Sequence, residues 1–154
     1  MLSAICPILE AKTSWHLKKL NNPQIKAEFS TVKYLSTGEI KEDFSVRVSS
    51  ETGGGTYGLL SGGEKQIVNF AVGLALADIA ELSSSSRNSL LILDEPFVQL
   101  GPKNCQSIVD YLNELTNTKE TILLISNEAT LQSLIPNQIR VEKSGGISRI
   151  TIGA

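Results

Sequence analysis

The chain is 154 residues long, carries a formal net charge of −2 and is 41% hydrophobic. That is enough for one domain with a real core, and it gives no electrostatic case for direct nucleic-acid binding. Cys6 and Cys105 are too few and too far apart for a disulfide framework or a zinc cluster, and no run approaches the roughly 20 apolar residues that cross a bilayer, so a soluble, cytoplasmic chain with reduced thiols and no membrane partner is expected.

Residues 1–22 read as a short helical lead-in. Its inward stripe would be Leu9, Thr13, His16, Leu17 and Leu20, with Lys12, Lys18 and Lys19 outside and Asn21-Asn22-Pro23 as its stop. His16 is the one histidine of the chain, so no second imidazole can join it at a metal, and it is expected on the surface of that helix or half-buried in it. From Ile25 the period changes to two. Ile25, Ala27, Phe29 and Thr31, then Phe44, Val46 and Val48, alternate with polar residues around Ser36-Thr37-Gly38-Glu39, which predicts an antiparallel hairpin of Ile25 to Leu35 and Ile40 to Val48. Glu51 to Thr56 reads as a flexible glycine-rich loop.

The next stretch, Leu60-Ser61-Gly62-Gly63-Glu64-Lys65-Gln66, stands before Ile67, Val68, Phe70, Ala71, Leu74, Ala75 and Ile79, which recur at helical spacing. A hydroxyl and two glycine amides at a helix N-terminus can hold a phosphate, because the amides are free and no Cβ blocks the approach. The same residues also satisfy a Ser-x-x-Glu capping box, which needs no ligand. Gly58 and Gly63 have the spacing of a phosphate-cradling loop, but Glu64 occupies the lysine position and Lys65 comes one residue late. The chain therefore contains no P-loop.

Leu90-Leu91-Ile92-Leu93 is an uninterrupted apolar run ending in Asp94-Glu95-Pro96, and it predicts a strand of a parallel sheet buried on both faces. Open α/β sheets bind ligands at the C-terminal ends of such strands. There Asp94 can hold Mg²⁺ through its waters, and Glu95 can orient and deprotonate a water attacking a γ-phosphate. As an isolated tripeptide, Asp-Glu-Pro is equally a solvated turn. Beyond it, a helix is expected from Pro102 to about Leu115, with Ile108, Val109, Leu112 and Leu115 inward. A second buried strand over Thr121 to Ile125 leads to Ser126-Asn127-Glu128, a short helix from Ala129 to Leu134 closed by Pro136, and a hairpin of Gln138 to Glu142 and Ile147 to Ile152.

In this order the motifs resemble the C-terminal half of the head of structural-maintenance-of-chromosomes (SMC) ATPases. Those heads are ABC-type and P-loop NTPase-like, and the likeness is strongest to their double-strand-break-repair relatives, including phage recombination-endonuclease subunits. The resemblance implies an α/β lobe in which parallel core strands are flanked by helices, with antiparallel hairpins at both ends. It divides the chain into a lead-in over 1–22, a coiled-coil remnant, and a head lobe over 23–154. In that family two heads sandwich two ATP molecules. By resemblance, Ser61, Gly62 and Gly63, with Glu64 beside them, would contact nucleotide held by the other head, Asp94 would serve Mg²⁺ and Glu95 would be the catalytic base.

The partners so implied are a P-loop-bearing N-terminal half or second head, a repair nuclease subunit, and DNA through the full complex. ATP hydrolysis would need that P-loop-bearing half. Two positions depart from the family pattern: Gly101 stands where an aspartate follows leucine, and Asn127 stands where a histidine contacts the γ-phosphate. Asparagine can still donate a hydrogen bond but carries no titratable proton. Asn127 also fits an N-cap for the helix from Ala129. A non-catalytic split head and a transporter-type ABC lobe are the alternative readings, and the Glu64-Lys65-Gln66 continuation and the preceding hairpin argue against the second.

Overall fold

The computed structural model describes residues 2–34, 38–50, 56–82, 89–97 and 100–153. Residues 51–55 of the expected Glu51 to Thr56 loop, residues 83–88 before the carboxylate strand, and Leu35, Ser36 and Thr37 lie outside the described residues. In chain order the elements are α1 (Leu2–Lys19), β1 (Ile25–Tyr34), β2 (Ile40–Ser50), a 3-10 turn (Tyr57–Leu59), α2 (Gly62–Leu82), β3 (Leu90–Asp94), α3 (Pro102–Leu115), β4 (Thr121–Ile125), α4 (Ala129–Leu134), β5 (Gln138–Ser144) and β6 (Ile147–Gly153).

Helix α1 buries its Leu9, Thr13, His16, Leu17 and Leu20 stripe. It stops at Asn21, whose φ of 57° is left-handed. The Asn21 and Asn22 amides turn back onto the carbonyls of Lys18 and Leu17, at 3.1 and 2.9 Å. This is the Schellman arrangement, in which asparagine stands in for the more common glycine. The antiparallel β1–β2 hairpin packs Ile25, Ala27, Phe29 and Val48 into the core, and a register shift falls between Ser30 and Val32. Glu10 of α1 accepts the Phe29 amide at 2.8 Å, fastening helix to strand.

Helix α2 buries Ile67, Val68, Phe70, Ala71, Leu74 and Ala75. Phe70 meets Phe97, just past β3, edge to face at 4.7 Å between ring centroids. Strands β3 and β4 pair in parallel, Leu90 with Thr121 through Asp94 with Ile125. Leu91, Leu93, Ile122 and Leu124 pack against the core. The expectation that both strands are buried on both faces is not met, since Ile92 is 57% and Ile125 52% exposed, and Leu90 and Leu123 lie beside them. The described helices cover one face of this pair, and no described element covers the other. Hairpin β5–β6 turns through Gly145 and Gly146, both at positive φ as a two-residue type I′ turn requires, and Ile139, Val141, Ile150 and Ile152 are exposed along it.

Three helices meet at His16, which is only 1% exposed and not the surface or half-buried residue that its isolation in the sequence suggested. Its Nδ1 lies 2.5 Å from the Tyr111 hydroxyl of α3, and its Nε2 lies 3.2 Å from Asp78 Oδ2 of α2. The carboxylate can only accept, so Nε2–H donates to Asp78 and the neutral ring accepts the Tyr111 proton at Nδ1. Lys12 completes the cluster with its ammonium 3.0 Å from the same Asp78 oxygen, while Lys19 pairs with Glu114 and Trp15 meets both rings edge-on. Burial lowers the His16 pKa more than Asp78 raises it, and Lys12 lowers it further.

The native state therefore binds fewer protons at His16 than the unfolded chain. Its contribution to stability is complete above the unfolded value near 6.5 and is lost as pH falls below it. As the one histidine, it should dominate side-chain titration between pH 7.5 and 5.5. The melting temperature is expected to fall across that window, with a limiting slope of about 1.4 kcal/mol per pH unit, or roughly 3–6 °C. His16→Gln should lower the melting temperature at pH 7.5 and flatten the slope. An equally steep slope in the variant would assign the titration elsewhere.

Candidate functional site

Ser61 and Glu64 form a reciprocal capping box. The Glu64 amide donates to Ser61 Oγ at 3.3 Å, and both the Ser61 amide and hydroxyl donate to Glu64 Oε2 at 2.8 Å. Such a pair satisfies two otherwise orphaned donors and fixes where α2 begins. The capping account of these residues is therefore realised, and it leaves the Gly62 and Gly63 amides without a partner among the described residues. Ser61 and Gly62 are exposed, so the turn presents free N–H groups at the positive end of a 21-residue helix. Lys65, one residue late for a P-loop, is tied down locally: its ammonium donates to the Gly58 carbonyl at 3.2 Å and stands over the Tyr57 ring. The Tyr57 hydroxyl in turn donates to Asn69 Oδ1 at 3.2 Å, closing the approach to the turn onto α2.

The carboxylates stand at the end of another element. Asp94 is the last residue of β3 and Glu95 follows it at φ 41°, a left-handed conformation that costs a non-glycine residue about 1–2 kcal/mol. The Glu95 amide donates to the Ile125 carbonyl at 2.9 Å, so the strand pair itself holds that conformation. Both side chains are exposed, and neither carboxylate has a partner among the described residues. An exposed, uncommitted carboxylate is a hard oxygen donor of the kind that Mg²⁺ accepts through one or two protein ligands.

Glu95, Ser126 and Asn127 border one open groove of about 980 Å³ at the C-terminal ends of β3 and β4. Ser126 Oγ accepts the Glu128 amide at 3.1 Å, and the N-cap of α4 is Glu128. The alternative reading of Asn127 as that cap is thereby corrected. The helix starts one residue later than such a cap requires, and the Asn127 side chain remains at the groove. Ser61 and Gly62 do not line this groove. The two motifs are joined through the core by Phe70 and Phe97 and at the surface by Leu100 against Gly63.

Sequence reasoning missed the Leu100 contact and the Glu95 backbone, for which no local signal exists. The burial of His16 could have been read from its place in the Leu9 to Leu20 stripe. Replacing Glu95 by asparagine, which tolerates the left-handed region, is expected to raise the melting temperature by about 1–4 °C. A lowered value would mean that the glutamate side chain stabilises this turn by more than its backbone strains it.

The sequence profile described as SbcC/RAD50-like, Walker B motif, matches residues 32–114, more than half of the chain. The chain is similar to the SbcC component of the nuclease SbcCD of Pseudomonas aeruginosa, at 35% identity over 94 residues, 60% of this chain and 8% of that protein. It is also similar to the DNA double-strand break repair Rad50 ATPase of Thermococcus kodakarensis, at 31% identity over 127 residues, 81% of this chain and 14% of that protein. The chain therefore spans about a tenth of the length of these curated relatives.

Among solved structures, the fold is shared with an SMC ATPase characterised for ATP-driven dimerisation and DNA-stimulated activation, at a TM-score of 0.71 and 14% identity over 99% of this chain and 88% of that one. An Smc head domain with coiled coil and joint from Pyrococcus yayanosii gives a TM-score of 0.64 at 17% identity, over 98% of this chain and 27% of that one. With its Asp94-Glu95 pair ending a parallel strand and its Ser61-Gly62-Gly63 turn opening α2, this chain belongs to the SbcC/RAD50-like Walker B family and has the fold of an SMC-type ATPase head lobe.

Proposed function

We propose that this chain is the signature- and Walker B-bearing lobe of an ATPase head that works in DNA recombination or double-strand-break repair. The observation that carries this reading is the division of one chain into two half-sites. Glu95, from an uncommitted carboxylate pair at the end of β3, borders one groove with Asn127, a turn with free amides lies outside that groove, and no P-loop occurs in the sequence to complete either.

In the completed head, Asp94 would hold Mg²⁺ through its waters, and the ion would offset charge on the phosphates of bound ATP. Glu95 would accept the proton of the attacking water, and the Asn127 amide would donate a hydrogen bond toward the γ-phosphate. Ser61, Gly62 and Gly63 would approach the nucleotide held by the opposite head, with Glu64 setting the direction of the Ser61 hydroxyl. The partners in this reading are a P-loop-bearing half or second head, a repair nuclease subunit, and DNA reached through the full complex. The α1 lead-in would continue toward a coiled coil.

Where the P-loop-bearing half would bind is supported by strand geometry. The Thr121 amide donates to Ser89 and the Ile125 carbonyl accepts from Glu95, so the intervening Ile122 and Leu124 turn their backbone groups away from β3. That free edge walls the 980 Å³ groove, and Ile139, Val141 and Ile152 of the hairpin line it as well. A strand from the P-loop-bearing half inserted there would pair with β4 and help cover the exposed face containing Ile92 and Ile125. A second reading, a head lobe that binds nucleotide without hydrolysing it, is favoured by Gly101 and Asn127, which remove an acidic and a titratable group from positions where the family carries them.

One measurement tests what these readings share and a second separates them. Without the lysine and loop amides that grip the β- and γ-phosphates, the isolated chain is expected to bind ATP no tighter than about 1 mM, roughly 4 kcal/mol. Micromolar binding in a calorimetric titration would contradict the half-site account. With the P-loop-bearing half added, Glu95→Gln should retain ATP-dependent association and lower hydrolysis by about 10²-fold or more. Turnover unchanged by the substitution would transfer the role of base to another group, and no turnover even with Glu95 intact would favour the non-hydrolysing reading.

A further inference from the structure

The two glycines of the α2 turn have different surroundings. A Cβ built on Gly62 meets nothing within 4 Å, whereas one built on Gly63 comes within 3.2 Å of Leu100 Cδ2 and 3.9 Å of Asn104 Nδ2. The first distance is shorter than nine in ten real Cβ contacts, so a side chain at 63 requires Leu100 to yield. Leu100 is itself held in place. It is followed by Gly101, the N-cap of α3, whose carbonyl accepts the Asn104 and Cys105 amides at 2.9 and 3.1 Å, and its own carbonyl lies 3.7 Å from Cys105 Sγ. The buried residues Cys105, Ile108 and Val109 root this first part of α3 in the core.

We infer that Leu100 is the positioning residue of the Ser61-Gly62-Gly63 turn, setting where its free amides stand relative to the Asp94–Glu95 end of β3, and that Gly63 is glycine because Leu100 occupies the space of its side chain. Gly62, with open space where its Cβ would be, is the glycine left for the approach of a group from outside the chain. The inference rests on the head reading above and deepens it. Neither role follows from the Ser-Gly-Gly sequence, in which the two glycines look equivalent.

Melting of the chain itself tests the contact. Alanine raises helix propensity over glycine, so in the first turn of α2 Gly62→Ala should raise the melting temperature by about 2–4 °C. Gly63→Ala should leave it unchanged or lower it, and should recover that rise in a Leu100→Val background, where the offending Cδ2 is gone. Leu100→Ala serves as a second background if valine repacks. ATP-dependent association with the P-loop-bearing half tests the positioning role. Gly63→Ala should weaken it at least about tenfold and Leu100→Val should restore it, while a Gly62→Ala defect should persist in either background. A Gly63→Ala defect that Leu100→Val leaves untouched would overturn this inference alone, because the added methyl would then obstruct a group from outside the chain and not Leu100. An absence of ATP-dependent association in the unsubstituted chain would overturn the head reading and this inference together.

Discussion

A parallel pair of strands with apolar residues on both sides needs cover on both sides, and the described chain supplies one. Helices supply the cover over Leu91, Leu93, Ile122 and Leu124, while Leu90, Ile92, Leu123 and Ile125 face outward. At about 25 cal/mol for each Å² of apolar surface removed from water, a partner that covered these four side chains and the apolar positions of the β5–β6 hairpin would gain several kcal/mol before the costs of association. Glu95 and Asn127 border the same open region at the strand ends, and Asp94 is the last residue of β3 beside Glu95. The uncovered face and the carboxylate end of β3 therefore adjoin.

The covered side ties the Ser61 turn to the Asp94–Glu95 end of β3. Helix α2 carries the Ser61 turn at one end and Asp78 near the other, where Asp78 meets His16 and Lys12 of α1. Tyr111 of α3 joins the same cluster, and the N-terminus of α3 sets Leu100 against Gly63. Helices α2 and α3 are thus tied at both ends, through a buried polar junction at one and the Leu100 methyl against the Gly63 backbone at the other. A polar junction of this kind fixes orientation more strictly than apolar packing does, because His16, Asp78 and Tyr111 each lose a partner if a helix rotates.

Much of this was legible in the sequence. Helical period located α2 and α3, period two located the first hairpin, and Gly145-Gly146 marked the second, because each depends on local backbone and patterning alone. The Asp-Glu-Pro strand end was legible for the same reason, and the relatedness of the chain to repair ATPases bears out the family resemblance carried by these motifs. What failed was the inference from an apolar run to burial on both faces. Leu90-Leu91-Ile92-Leu93 records what the strand needs, and the element that meets the need on one side is not among those described. The burial of His16 was legible in the Leu9 to Leu20 stripe, but its partners stand 62 and 95 residues away, beyond any window that periodicity can read. The difference between Gly62 and Gly63 was illegible because it lies in Leu100, on another element.

The central claim is that the open edge of β4 receives a strand from a P-loop-bearing half. Hydrogen exchange at the Ile122 and Leu124 amides, which point away from β3, measures this most directly. With the chain alone they should exchange faster than the Thr121 amide, which is bonded to Ser89 at 3.0 Å. On addition of the P-loop-bearing half they should become at least as protected. Complex formation that leaves both amides exchanging at their original rates would contradict the account and move the contact to another surface.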